Sequence, residues 1–233
     1  MTSLERARHI VGFLSRHRWS VPPSLLSALF FAQLASELRE NELGPFDTAV
    51  AKVVAGTRGD FDQPMLWLTR LGEGESLFVI VLGASALLLA FRRRRELRYL
   101  VSVGLGTLLL DSLLKLAFHR ARPGPEGLYL IHTPHSYSFP SGHALGSMGV
   151  LFSLVMVARA VGVRGAYLAV LAGSAAVLVL GIATSRIYFG VHFPSDVVGG
   201  MLAGVGWVSA MTGWFYPRAL PGEATAPPAP PAA

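Results

Sequence analysis

Residues 138–160 read SFPSGHALGSMGVLFSLVMVARA, a polar turn that leads directly into a long apolar run. The apolar part, residues 144–160, is long enough to cross the hydrocarbon core of a bilayer, which needs about 17–25 mostly apolar residues. The turn before it places Pro, Ser, Gly and His where a helix would begin. The stretch therefore predicts a membrane-spanning helix with a polar turn at its N-terminal end.

The composition of the whole chain is also typical of a membrane protein. Of its 233 residues, 52% are hydrophobic and only 15% are charged, whereas soluble domains carry about 25% charged residues. The absence of cysteine excludes disulfides and thiolate metal sites. Six spans are predicted, at residues 21–38, 77–91, 97–117, 144–160, 166–184 and 197–215.

These spans predict an all-α, polytopic membrane bundle of six transmembrane helices. We expect the short second span to extend by a turn at each end, and the glycine-rich sixth span to pack closely on its neighbours. We expect the first span to be retained rather than cleaved as a signal peptide. One membrane domain is predicted at residues 21–219, after a basic cytoplasmic N-terminus at 1–20 and before a disordered Pro/Ala-rich tail at 220–233.

The distribution of basic residues predicts the orientation of the bundle. The net charge of +6 does not indicate nucleic-acid binding, because the basic residues cluster in short segments at span ends. The positive-inside rule assigns these segments and both termini to the cytoplasm. The connections 39–76, 118–143 and 185–196 then lie on the opposite face of the membrane. Within 39–76, the stretches FDTAVAKVV and FDQPMLWLTRLG either lie along the membrane surface or form a structural cap.

The first polar cluster on this face is KLAFHRARP, at residues 115–123. Lys115 and Arg122 would lie two turns apart on one helix face if the helix continued. Membrane anchoring is the alternative for such cations at the end of a span. Asp111 is expected to pair with Lys115 inside the membrane. Arg120 is expected to be interfacial, or to help hold a second phosphate.

The second cluster is the opening turn itself. Ser141 is a favoured N-cap residue, and Gly142 allows the backbone to approach a ligand closely. The exposed amides of a helix N-terminus bind anions, and His143 would stand in the first turn. A plain helix cap with an interfacial histidine is the alternative.

The third cluster lies in SRIYFGVHFPSDVVGG, at residues 185–200. It contains Arg186, His192 and Asp196, and a carboxylate near a histidine fixes the tautomer of a nucleophile or base. Taken together, the three clusters place cations, two histidines, an aspartate and a Ser-Gly turn on one face, which is the set that phosphate chemistry requires. Residue spacing alone leaves open which histidine is the nucleophile.

The three clusters resemble the signature motifs of the type 2 phosphatidic acid phosphatase (PAP2) superfamily. Lys115 precedes Arg122-Pro123 by six residues, Pro140 to His143 reads PSGH, and Ser185-Arg186 is followed after five residues by His192 and after three more by Asp196. These core motifs occupy residues 115–196.

The resemblance implies a phosphatase that uses neither metal nor cofactor. His192 would attack phosphorus with Asp196 orienting its ring, and His143 would protonate the leaving oxygen and then activate water. Five residues would bind the phosphate: Lys115, Arg122, Ser141, Gly142 and Arg186. Because His192 must be neutral while His143 is protonated, we expect a bell-shaped pH dependence.

The predicted function is that of a lipid phosphatase in a bacterial cytoplasmic membrane, with its site on the outer face. The expected partners are the bilayer and a lipid phosphate. The sequence does not separate phosphatidylglycerophosphate, phosphatidate and undecaprenyl diphosphate, nor does it give an oligomeric state. The alternatives are a phosphotransferase, a lipid-phosphate binding or transport protein, and the soluble vanadium haloperoxidases, which six apolar spans disfavour.

Overall fold

The computed structural model of the protein describes residues 20–132 and 135–217. The predicted N-terminal segment, up to residue 19, and the predicted tail lie outside the described residues. The described part is helical, with a single short 3₁₀ turn at Pro125–Gly127. Its helices are α1 (Val21–Arg39), α2 (Gly44–Ala55), α3 (Asp62–Leu71), α4 (Gly74–Ala90), α5 (Arg94–Phe118), α6 (Gly142–Ala160), α7 (Gly165–Tyr188) and α8 (Pro194–Phe215). The prediction of an all-α membrane bundle is confirmed.

Five of the described helices are long and apolar enough to cross a bilayer: α1, α5, α6, α7 and α8. A sixth span is obtained if α3 and α4, which meet at a bend of 55°, are counted as one. The second span begins a turn before its predicted start, but its predicted extension at the other end is wrong. The helix ends at Ala90, and Arg92 turns the chain with φ 56° so that α5 can begin at Arg94.

Helix α6 is the central helix of the bundle. It packs against α5, α7 and α8, and α1 covers the outer side of α8. The contact between α6 and α8 depends on glycine: a Cβ on Gly200 would lie 2.5 Å from the carbonyl oxygen of Ser141, and one on Gly204 would lie 2.7 Å from Met148. The close packing expected of the sixth span is therefore observed.

The connection between the first two spans folds into α2 and α3. Both short helices pack against α7, and α2 also contacts α8. Asp62 at the start of α3 accepts hydrogen bonds from the hydroxyl groups of Tyr129 (2.9 Å) and Tyr188, which ties the two connections together. Of the two alternatives, this contact pattern favours a structural cap over the end of the bundle.

The chain leaves α5 earlier than a continuous helix would. Helix α5 ends at Phe118, and His119 adopts a left-handed conformation with φ 48°. The condition that Lys115 and Arg122 share one helix face is therefore not met. Arg122 instead lies in the connection that crosses the end of the bundle, where it can reach the loop between α7 and α8.

Candidate active site

The imidazole ring of His192 is held from both sides in the loop between α7 and α8. Its Nδ1 atom lies 3.4 Å from Oδ2 of Asp196, and its Nε2 atom lies 3.1 Å from Nη1 of Arg122. Because an arginine can only donate, Nε2 must be the acceptor, and Nδ1 then carries the proton that faces the carboxylate. The lone pair of Nε2 is therefore directed to the side of the ring where Arg122 lies.

His192 is also almost fully buried, with 3% of its surface exposed. Burial is the main cause that lowers the pKa of His192 to about 4, although Asp196 acts in the opposite direction. The ring is consequently neutral at neutral pH, which is the state that a nucleophilic nitrogen requires.

Asp196 is completely buried at the start of α8. Its Oδ1 accepts from Nη1 of Arg120 at 2.5 Å, and its Oδ2 accepts from the hydroxyl of Ser138 at 2.5 Å and from the amide of Phe193 at 2.9 Å. These donors stabilise the ionised carboxylate. The backbone carbonyl of Asp196 also accepts from the amide of Ser141, which joins the N-terminal ends of α6 and α8.

Arg122 is positioned by backbone carbonyls. Its Nε donates to the carbonyl of Ser136 at 2.7 Å, and Nη1 donates to that of Val191 at 2.8 Å. Burial lowers the pKa of Arg122, whereas the charges of Asp196 and Asp111 raise it. The guanidinium group is thus held in place independently of any ligand.

The N-terminal end of α6 supplies Ser141, Gly142 and His143. Ser141 is the N-cap residue, as its sequence position predicts, but its hydroxyl makes no capping hydrogen bond. That Oγ atom and Nε2 of His143 are buried and have no hydrogen-bond partner among the described residues. The ring of His143 packs against Gly72, where an added Cβ would lie 2.9 Å from its Cδ2 atom.

Two further cations complete the site. Nζ of Lys115 donates to Oδ2 of Asp111 at 2.7 Å, so the expected intramembrane ion pair is present. The same Nζ would lie 3.1 Å from a Cβ added to Gly142, which brings Lys115 to the start of α6. Arg186 is buried and donates through Nη1 to the hydroxyl of Thr69, while its Nε has no partner in the described part of the chain.

All eight predicted site residues therefore converge at one end of the bundle. His143 lies within electrostatic range of Arg186, His192 and Lys115, and Arg186 lies within range of Arg122. No group of three or more metal-ligating side chains occurs within residues 20–132 and 135–217.

Sequence reasoning missed several contributors: Asp47, Thr69, Gly72 and Ser138. Arg120 was expected to be interfacial or to hold a second phosphate, yet its guanidinium pairs with Asp47 and Asp196. The one available signal for Asp47 was an acidic side chain in the mostly apolar stretch FDTAVAKVV, whose other charged residue is Lys52.

Comparison with known proteins agrees with this geometry. A family model described as the PAP2 superfamily matches residues 95–219, which is more than half of the chain. The chain belongs to the PAP2 superfamily. The motifs of this superfamily predicted from the sequence lie inside the matched region, and the site described above is built around them.

Named relatives within the superfamily are similar over most of their length. Phosphatidylglycerophosphatase B of Bacillus subtilis (strain 168) is 33% identical over 185 residues, which cover 76% of this chain and 87% of that protein. An undecaprenyl-diphosphatase of Sulfolobus acidocaldarius is 31% identical over 153 residues, covering 64% of this chain and 67% of the relative.

A solved structure has the same fold. The crystal structure of a transmembrane PAP2 type phosphatidylglycerolphosphate phosphatase from Bacillus subtilis superposes with a TM-score of 0.75 at 26% identity, covering 82% of this chain and 94% of that one. Together with the apolar helices, this match identifies the protein as a multi-pass membrane protein.

Proposed function

We propose that this protein is a membrane lipid phosphatase that cleaves a phosphate monoester or diphosphate through a phosphohistidine on His192. One observation carries the proposal: Nδ1 of His192 faces Asp196, whereas Nε2 faces Arg122. This orientation supports His192 as the nucleophile, because its neutral Nε2 lone pair points toward the cations rather than toward the carboxylate.

Binding alone would require the cations but not an oriented histidine. The names of the two relatives, a phosphatidylglycerophosphatase and an undecaprenyl-diphosphatase, support a phosphatase acting on membrane lipids.

In the first step, Nε2 of His192 attacks phosphorus. The N–P bond forms as the P–O bond to the lipid breaks, and His143 gives a proton to the departing oxygen. Asp196 stabilises the positive charge that develops on the His192 ring. Lys115, Arg122 and Arg186 neutralise the phosphoryl oxygens, together with the Ser141 hydroxyl and the Gly142 amide.

In the second step, His143 takes a proton from water, and the resulting hydroxide attacks the phosphohistidine. The N–P bond breaks, inorganic phosphate leaves and His192 returns to its neutral form. The unpartnered atoms of Ser141, His143 and Arg186 support this assignment, because buried polar atoms are normally hydrogen-bonded. These are the groups that a phosphate would satisfy.

An apolar groove supports a lipid as the leaving group. The groove has a volume of about 480 Å³ and runs between α4 and α5. Its walls are apolar side chains that include Leu77, Phe78, Val81, Val101 and Leu105, and its polar end contains Asp111, Lys115, Gly142 and His143. A hydrocarbon tail in this groove would bring its phosphate to His143, the proposed acid, on the side of the site where the leaving oxygen must emerge.

The site is proposed to face the non-cytoplasmic side of the membrane. Arg95 donates to the carbonyl of Phe215 at 2.8 Å, which places the basic segment 92–98 beside the C-terminal end of α8. The site lies at the opposite, N-terminal end of the same helix. Cytoplasmic retention of the basic segments would then expose the site on the outer face.

The test is phosphate release by detergent-purified protein from phosphatidylglycerophosphate, phosphatidate and undecaprenyl diphosphate, with EDTA present. We expect release from at least one of these lipids and its loss in His192→Ala, because no other group would accept the phosphoryl group. A wild-type protein that binds these lipids but releases no phosphate would identify the site as a binding or transfer site. Release that requires an added divalent cation would contradict the mechanism.

A further inference from the structure

A second set of charges lies behind the His192 ring, on the side where its Nδ1 atom faces Asp196. Arg120 bridges two carboxylates there: Nη1 lies 2.5 Å from Oδ1 of Asp196, and Nη2 lies 2.7 Å from Oδ2 of Asp47. Nη1 also donates to the hydroxyl of Ser195 at 2.7 Å, and the guanidinium lies 4.2 Å from the centroid of the Phe193 ring. Four contacts therefore define the position of Arg120.

Asp47 comes from α2, a helix that contributes no residue to the three sequence motifs. It is 4% exposed, and in addition to Arg120 it accepts from the amide of Ser195 at 2.8 Å and from the Ser195 hydroxyl at 2.7 Å. The carboxylate thus binds the first turn of α8, one residue before Asp196. A carboxylate at this place is stabilised by the free amides of a helix N-terminus.

The free-energy cost of burying two carboxylates explains why an arginine lies between them. A buried carboxylate is costly unless it is paired and hydrogen-bonded, and the single cation Arg120 is shared between Asp196 and Asp47. The planar guanidinium can donate to both at once, which an ammonium cannot do with the same geometry. Asp47 therefore determines where the guanidinium lies, and the guanidinium determines how Asp196 is held against His192.

We propose that Asp47 and Arg120 are positioning residues for the phosphohistidine chemistry, acting on His192 through Asp196. This inference rests on the proposed function, because it assigns roles within the same reaction. It also assigns a role to α2: this outer helix is part of the machinery that orients the nucleophile, and its contact with α8 is required for the rate of the chemical step rather than for substrate binding.

The proposal predicts a charge effect that a purely structural role would not produce. The charged or titratable groups that act on His192 come from several elements: Asp196 of α8, Arg186 of α7, His143 of α6, Arg122 of the connection, and, through Asp196, Arg120 and Asp47. Removing the Arg120 cation leaves the negative charge of Asp196 less compensated. Protonation of His192 then becomes easier, and the acid limb of the pH profile moves to higher pH.

The experiment compares Arg120→Gln, Arg120→Lys and Asp47→Asn with wild type, using the lipid that gives the highest phosphate release. We expect kcat to fall by about tenfold to a hundredfold in Arg120→Gln and about tenfold in Asp47→Asn, as for the loss of a hydrogen bond to a charged group. KM should change by less than about twofold in each, because the proposal has both residues act through Asp196 and not on the substrate. Arg120→Lys should recover part of the rate.

The double variant Asp47→Asn/Arg120→Gln tests whether the two residues act in sequence. If Asp47 acts through Arg120, the double variant should be no slower than Arg120→Gln alone. Multiplying losses, or an acid limb that stays in place in Arg120→Gln, would overturn the proposal.

Asp62→Asn is the matched control. Asp62 is another aspartate of the outer cap, and it accepts from Tyr129, Tyr188 and the amide of Gly59, but it has no contact with Asp196. Its substitution should lower the melting temperature in detergent while leaving kcat within about twofold of wild type. If Asp47→Asn behaves like Asp62→Asn while His192→Ala is inactive, the positioning role is wrong and the phosphatase function stands. If wild type releases no phosphate, the proposed function fails.

Discussion

The two sides of the His192 ring differ in how completely their buried polar atoms are hydrogen-bonded. Behind the ring, both oxygens of Asp196 have donors, and Arg120 is paired with two carboxylates. In front of it, the Ser141 hydroxyl, Nε2 of His143 and Nε of Arg186 have no partner among the described residues. The same small volume thus contains a saturated hydrogen-bond network and an unsaturated one.

The difference separates two physical roles. The saturated side gains nothing from a ligand, and it holds the nucleophile in one orientation before the substrate arrives. The unsaturated side lowers its free energy when an anion supplies the missing acceptors. Substitutions behind the ring should therefore change kcat and stability, whereas substitutions in front should change substrate binding or proton transfer.

The largest effect is expected from His143→Asn, in front of the ring. Loss of the acid should lower kcat/KM by about 100- to 10,000-fold on a lipid phosphate, because the leaving alkoxide then departs unprotonated. On an aryl phosphate, whose leaving group needs no proton, the loss in kcat/KM should shrink to about tenfold, whereas kcat stays low because hydrolysis of the phosphohistidine still needs His143 as the base. Equal losses of kcat/KM on the two substrates would assign His143 to binding rather than to proton transfer.

Gly72→Ala tests the packing that holds His143. An added Cβ would lie 2.3 Å from Cγ2 of Ile182 and 2.9 Å from Cδ2 of His143. Overpacking of this kind displaces neighbours, and displacement of a reacting group by about 1 Å costs about a hundredfold in rate. We expect kcat to fall by about tenfold to a hundredfold. Gly74→Ala, whose added Cβ meets nothing within 4 Å, should retain wild-type kcat in the same assay.

Two serines allow a direct comparison of the two sides. Ser138→Ala removes a donor from buried Asp196 and should lower kcat about tenfold and the unfolding free energy by about 1.5–3 kcal/mol. Ser141→Ala removes a hydroxyl without a partner, so it should raise KM a few-fold and leave the melting temperature unchanged or higher. Identical kinetic and thermal effects in the two variants would remove the distinction between the two sides.

The smallest effect is the response to mild acid. Since the pKa of His192 is lowered to about 4 by burial, the nucleophile stays neutral down to about pH 5, and kcat/KM should halve only near pH 4. The unfolded chain takes up this proton near the ordinary value of about 6.5, so stability should decline as pH falls from about 6.5 to about 4. Measuring kcat/KM and the melting temperature over a pH series checks both expectations. In His192→Ala, the fall in melting temperature that is due to protonation of His192 should be absent.

The spans and the phosphate-binding residues were predictable because their signals lie in short, continuous stretches of the sequence. Apolar length identifies a span wherever it lies in the chain, as the helix Gly165–Tyr188 illustrates for the predicted span 166–184. The motif around His192 and Asp196 occupies a few consecutive residues, and both lie where α8 begins.

Other features depend on contacts that no local pattern reveals. Arg120 and Asp47 are 73 positions apart, and nothing in the stretch FDTAVAKVV shows that its single aspartate is directed toward α8. Gly72 and His143 are also brought together only by the folded chain. The predicted third span, 97–117, ends within one residue of α5, but only the structure shows that the chain turns at His119, in a left-handed conformation, before it reaches Arg122.

The sequence by itself determined that the chain spans a membrane and that cations, two histidines and an aspartate gather at one end of the bundle, because hydropathy and motif spacing are properties of consecutive residues. Only the tertiary structure decided which nitrogen of His192 faces Asp196, where Arg120 points and which polar atoms are left without partners. Those features depend on distances between side chains from different helices, and these distances are set when α2, α6 and α8 pack together.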